Sequence, residues 1–99
     1  MKKLFISQPM RGKTDEDIMA ERQVALEAAT ELVKCDVELI DSFIYDDEPG
    51  DNAITYLGKS IIFLSKADIA YFAPGWNETR GCLIEYQVCQ SYDIPTIEA

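Results

Sequence analysis

Hydrophobic and polar positions along the chain switch repeatedly between a short-strand period and a helical one. Residues 3–7 (Lys-Leu-Phe-Ile-Ser) form a compact apolar run ended by Gln8-Pro9 and read as a buried strand. Gly12 keeps the following loop open. Thr14 precedes Asp15, Glu16 and Asp17, which puts a hydroxyl ahead of a first turn rich in carboxylates and predicts a helix start. That helix is predicted to run to about Lys34, with Ile18, Ala25, Ala29 and Leu32 on one face and Lys34 as a cation in its last turn. Residues 37–41 read as a second strand, and 45–51 as an acidic, turn-rich, solvated loop. A second helix is predicted over 53–66, a third strand over 68–73 ended by Pro74-Gly75, a third helix over 81–92 after a loop at 76–81, and a fourth strand over 94–97.

The order β-α-β-α-β-α-β implies right-handed crossovers. The predicted fold is therefore α/β: a flavodoxin/Rossmann-like three-layer sandwich with a small parallel sheet of about four strands and helices on both faces. One domain is expected over residues 1–99. In such sheets ligands bind beyond the carboxyl ends of the strands, at the switch in strand order. The loops at 8–13 and 74–81 leave those ends.

The third helix carries the sharpest chemical signal. At about 100° per residue, Cys82, Ile84, Tyr86, Val88, Cys89 and Tyr92 fill one arc, and Glu85 sits in its middle. A carboxylate there is costly to bury, and burial raises its pKa unless donors hold it ionised. Glu85 lies one turn after Gly81 at a helix start, where backbone amides and Arg80 favour an anion. Arg11 and Lys13 bring further positive charge to the same sheet edge. Two readings stay open for several of these groups. Glu85 is a working carboxylate or a structural one paired with a residue such as Arg11. Arg11 and Lys13 hold an anion or are simply solvated. Trp76 stacks on a base or lids the core.

Charge and composition narrow the chemistry. The 99 residues hold 18 acidic and nine basic side chains, no histidine, and a net charge of −9. This balance argues against a nucleic-acid partner, because binding a polyanion needs Lys and Arg to neutralise phosphates. Without histidine, a His-based triad and a His-ligated zinc site are both excluded. Cys35, Cys82 and Cys89 lack C-x-x-C spacing, so neither a disulfide framework nor a metal knuckle is expected, and a reducing cytoplasm is the default location. No run approaches the roughly 18 apolar residues of a membrane span, and no membrane partner is expected.

Three segments together carry a family resemblance: Phe5-Ile-Ser-Gln-Pro-Met-Arg-Gly12, Ala67-Asp68-Ile-Ala70, and Thr79-Arg-Gly-Cys-Leu-Ile-Glu85. In order and spacing the chain resembles the nucleoside 2-deoxyribosyltransferase superfamily, from Phe5 to Ile97. Its motifs are like those of the deoxynucleoside monophosphate N-glycosidases and of small phage-associated relatives. The resemblance implies cleavage or exchange of an N-glycosidic bond in a small nucleoside or nucleoside 5′-monophosphate. Glu85 matches the nucleophile, Thr79 and Gly81 match phosphate contacts, and Met10, Arg11 and Gly12 match first-loop substrate contacts. It implies no cofactor and no metal, and a homodimer or higher homo-oligomer. Two positions depart from the pattern: Ser60 stands where the family usually has an aspartate, and Phe5 where it often has a tyrosine. Ser60 retains the capacity to hydrogen-bond a ligand. The alternative expectation is a catalytically impaired nucleotide-binding protein of the same fold.

Overall fold

A computed structural model describes residues 1–9, 12–41 and 48–99. Met10, Arg11 and residues 42–47, which include part of the predicted acidic loop, lie outside the described residues. The elements follow the predicted order: β1 (Lys2–Ser7), α1 (Asp15–Val33), β2 (Val37–Leu39), α2 (Ala53–Leu64), β3 (Ile69–Phe72), a 3-10 turn at Trp76–Glu78, α3 (Arg80–Ser91) and β4 (Thr96–Glu98). The four strands form one parallel sheet in the order β2-β1-β3-β4. The fold is the small flavodoxin/Rossmann-like α/β sandwich.

Local sequence sets the helix starts. The Thr14 hydroxyl accepts from the Asp17 amide at 3.1 Å while the Asp17 carboxylate accepts from the Thr14 amide at 3.2 Å, a reciprocal capping box. Asn52 caps α2 in the same way, with the Thr55 hydroxyl closing the box. Lys34 is not in the last turn of α1, as the sequence suggests. It is the C-cap, held at φ 54, with its amide donating to the Thr30 carbonyl at 2.9 Å.

Strand alternation divides the core. Leu4, Ile6, Ile69 and Tyr71 face α1 and pack on Ala25 and Ala29, small residues that let the helix approach the sheet. Phe5, Ala70 and Phe72 face the other way and pack on Leu64 of α2 and Cys89 of α3. In α1, Leu32 departs from its predicted place and is 61% exposed. Val33, its neighbour in the same final turn, packs against the core. Arg22 instead joins Ile18, Ala25 and Ala29 on the buried stripe. The buried seam of α3 is likewise narrower than the predicted arc: Cys82, Glu85 and Cys89 are buried, and Ile84 and Tyr92 are exposed. Among the described residues, no helix is long and apolar enough to cross a membrane.

Candidate functional site

The chain leaves β1 for β2 on one side of the sheet and returns to β3 on the other, so the switch point lies between β1 and β3. Ser7 is the last residue of β1, paired in register with Phe72 of β3. Its side chain follows Phe5 onto the α2/α3 face, where Glu85 arrives from the second turn of α3. The Ser7 hydroxyl donates to Glu85 Oε1 at 2.6 Å, and the Ser60 hydroxyl of α2 donates to Glu85 Oε2. Glu85 is only 5% exposed, and Ser7 is fully enclosed. A central strand and two helices thus converge on one carboxylate.

Burial pushes the Glu85 carboxyl above its ordinary value, and the Ser60 and Ser7 hydroxyls pull the other way by stabilising the ionised form. Burial also raises the Cys82 thiol, which the Ser7 hydroxyl and Lys13 partly offset and the Glu85 charge reinforces. Cys89 is pushed up to about 11, by burial first and the Glu85 charge second. Both thiols therefore stay protonated at neutral pH, and neither is poised as a thiolate nucleophile. Among the described residues, Glu85 makes no ion pair, and no three His, Cys, Asp or Glu side chains gather to hold a metal.

A groove of about 530 Å³ opens between the first turns of α2 and α3. Asn52, Ala53, Ile54 and Leu57 form one wall, and Arg80, Gly81 and Ile84 the other. Glu85 lies one turn beyond Gly81, and Ser60 nearly one turn beyond Leu57, on the same helices, and neither lines the groove itself. A Cβ built on Gly81 meets nothing within 4 Å, so the wall is open there. The α3 start supplies amide donors at the mouth, whereas at α2 the Asn52 side chain already accepts from the Ile54 and Thr55 amides. At α3 no side chain caps them, because the Thr79 hydroxyl donates backward to the Gly75 carbonyl at 3.0 Å. Arg80 forms no ion pair among the described residues.

The other predicted site residues divide. Ser60 and Glu85 are in direct contact, and Thr79 and Gly81 lie at the α3 start beside the groove. Gly12 sits in an exposed loop at φ 77, a left-handed conformation suited to glycine. Met10 and Arg11 lie outside the described residues. Lys13 is occupied: its ammonium pairs with Glu21 at 2.8 Å. Trp76 packs on the core, stacked on Tyr86 with ring centres 4.6 Å apart and edge-on to Phe72.

Two groups carry no role in the sequence reading. Ser7 is one; its signal is a hydroxyl at the end of an otherwise apolar strand, in phase with Phe5. The second is a buried polar cluster on the opposite face of β1. There the Gln8 side-chain Oε1 accepts from Arg22 Nε at 3.0 Å, and its Nε2 donates to Glu21 Oε1 at 3.0 Å and to the Ile18 backbone carbonyl at 3.4 Å. This cluster ties the end of β1 to α1.

No protein-family model, curated protein or solved structure matches this chain.

Proposed function

We propose that the chain is an N-glycosidase or N-deoxyribosyltransferase-like enzyme acting on a small nucleoside or nucleoside 5′-monophosphate, with Glu85 as nucleophile. The observation that supports it is a buried carboxylate at the sheet's switch point, bonded by hydroxyls from β1 and α2 and one helix turn from the Gly81 wall of a groove where Arg80 makes no ion pair among the described residues. The motif resemblance supplies the substrate class. In the first step a Glu85 oxygen forms a bond to C1′ as the glycosidic C–N bond breaks. The bonding pair leaves with the base, which takes a proton from water. In the second step water, or another base, attacks C1′ and returns the carboxylate. Burial suits this role: a carboxylate that is harder to ionise is also the more basic nucleophile once ionised. The phosphate of a monophosphate is assigned to the mouth of the groove, beside Arg80 and the uncapped amides of α3. The same resemblance extends to a homodimer or higher homo-oligomer, and the sparse, unpatterned cysteines to a reducing cytoplasm.

One observation favours a second reading. Ser60 occupies the place of the family's aspartate, and its contact with Glu85 offers no proton at neutral pH to a departing base. A nucleotide-binding protein without turnover fits that substitution. Incubation with a panel of nucleosides and 5′-monophosphates, followed by chromatography for free base, separates the two. Base release that disappears in Glu85→Gln supports the enzyme. Saturable binding with no release supports the binding protein and removes the nucleophile assignment.

A further inference from the structure

The two hydrogen bonds on Glu85 come from unlike places. Ser7 belongs to β1, which lies inside the sheet between β2 and β3, and its side chain is enclosed. Its neighbours on that face are Phe5 and Phe72, both fully buried. Ser60 belongs to α2, a helix in which only Leu64 is buried and Ile54, near the groove mouth, is 78% exposed. Ser60 itself is half-buried, nearly one turn beyond Leu57 of the groove wall. The oxygens of one carboxylate are thus held by a fixed donor and by an accessible one.

We propose that Ser7 is the positioning residue of Glu85: it anchors Oε1 to the sheet throughout, and leaves Oε2, whose Ser60 bond a ligand displaces, as the oxygen that engages the ligand. This assignment rests on the proposed role of Glu85 as nucleophile, and it adds which oxygen reacts and what holds the other. Retaining displacement needs one carboxylate oxygen to reach C1′ along a defined line. A single hydroxyl on a rigid strand fixes the rotation of the carboxyl group without occupying the reacting oxygen. Ser7 is enclosed, whereas Ser60 is half-buried on the helix that carries Leu57 of the groove wall, so a sugar that reaches Glu85 meets Ser60 before Ser7. The described groups facing Glu85 are Ser7 from β1, Ser60 from α2, and the Cys82 and Cys89 thiols from α3, with Lys13 acting on Cys82 from the loop. Only the carboxyl among these changes charge in mildly acid solution.

The test reads the carboxyl directly as well as turnover. Protein labelled with ¹³C at glutamate carboxyls is titrated by NMR, with the Glu85 signal assigned by its loss in Glu85→Gln. Ser7→Ala is expected to raise the Glu85 midpoint, because a donor to the ionised form is gone, and Ser7→Thr, which keeps the hydroxyl, to restore it. Ser7→Cys, of similar size with a weaker donor, should lie between them and serves if the alanine variant does not fold. In base release, Ser7→Ala is expected to lose about ten- to a hundredfold in kcat with little change in KM. Ser60→Ala should keep or lower KM and lose less in kcat than Ser7→Ala. An unmoved midpoint in Ser7→Ala, or one raised equally in Ser7→Thr, overturns the anchor. A larger kcat loss in Ser60→Ala than in Ser7→Ala overturns the division between the two oxygens. Absence of base release from the wild-type protein overturns the glycosidase reading instead, and the titration still decides whether Ser7 anchors the carboxyl.

Discussion

Glu85→Gln keeps the shape of the side chain and removes its charge, so it isolates what that charge does to the fold. Burial pushes the Glu85 carboxyl up against the opposing pull of Ser60 and Ser7. The folded protein therefore holds this proton more tightly than the unfolded chain does. The stability it contributes is complete below the ordinary glutamate range and is lost as pH rises through the raised folded value. In free-energy terms, removing an ion from water costs several kcal/mol in a protein interior. Two hydrogen bonds to a charged acceptor return about 1.5–3 kcal/mol each. The remainder is a penalty on the order of 1 kcal/mol once the group is ionised. Glutamine avoids that penalty and satisfies both serines, its oxygen accepting from one hydroxyl and its amide donating to the other. Urea unfolding at intervals from pH 4 to 8 should place Glu85→Gln within about 0.5 kcal/mol of wild type at the acid end and about 1 kcal/mol above it at the alkaline end. For a chain of this length, 1 kcal/mol corresponds to roughly 4–8 °C in Tm. A difference that does not vary with pH, or a variant that loses ground as pH rises, refutes the reasoning.

Three further perturbations address the surroundings. Arg80→Ala should weaken binding of a 5′-monophosphate by about fivefold, as for one exposed charge pair, and leave the unphosphorylated nucleoside unchanged; equal losses in calorimetric titration contradict the placement of the phosphate. Gln8→Ala strips Arg22 Nε of a buried acceptor and should destabilise the fold by about 1–3 kcal/mol in urea; a loss under about 0.5 kcal/mol removes the cluster from any part in holding β1 to α1. With a chromogenic disulfide reagent at pH 8, Cys35, which is exposed, should react at once, while Cys82 and Cys89 wait for unfolding. A second fast thiol in the native protein shows that the α3 seam is more open than described.

How much of this was legible in the sequence depends on the range of the interactions. The capping box at Thr14 uses residues three apart and is fully written in the local pattern. The alternation of strands and helices likewise dictates the parallel sheet. Glu85 is recognisable because helical phase alone places it among apolar neighbours. Phase gives an angle and not a depth, however, so Ile84 and Tyr92 share the predicted arc and end at the surface. Arg22 escapes a search for apolar stripes because it is a polar member of one, made tolerable by Gln8 across the helix–strand interface. The Ser7–Glu85 bond spans 78 positions and exists only after β1 and α3 are packed. Lys13 reads as a free cation until its pairing with Glu21, nearly two helix turns into α1 from the loop, is seen.

The end of β1 has a parity. Ser7 turns to Glu85 on one face of the sheet, and Gln8 turns to Arg22 and Glu21 on the other. Inserting or deleting one residue ahead of Ser7, with the start of the strand held in register on β2 and β3, exchanges odd and even positions from there on. Glu85 then meets a residue meant for α1, and Arg22 Nε loses the Gln8 oxygen, although almost the whole sequence is unchanged. Exposed Lys2 and Lys3 tolerate new side chains, because they sit outside both clusters. Changes of length in the same few residues are a different class of mutation, striking both faces of the sheet at once. The first strand thus behaves as a ruler whose spacing matters more than most of its letters.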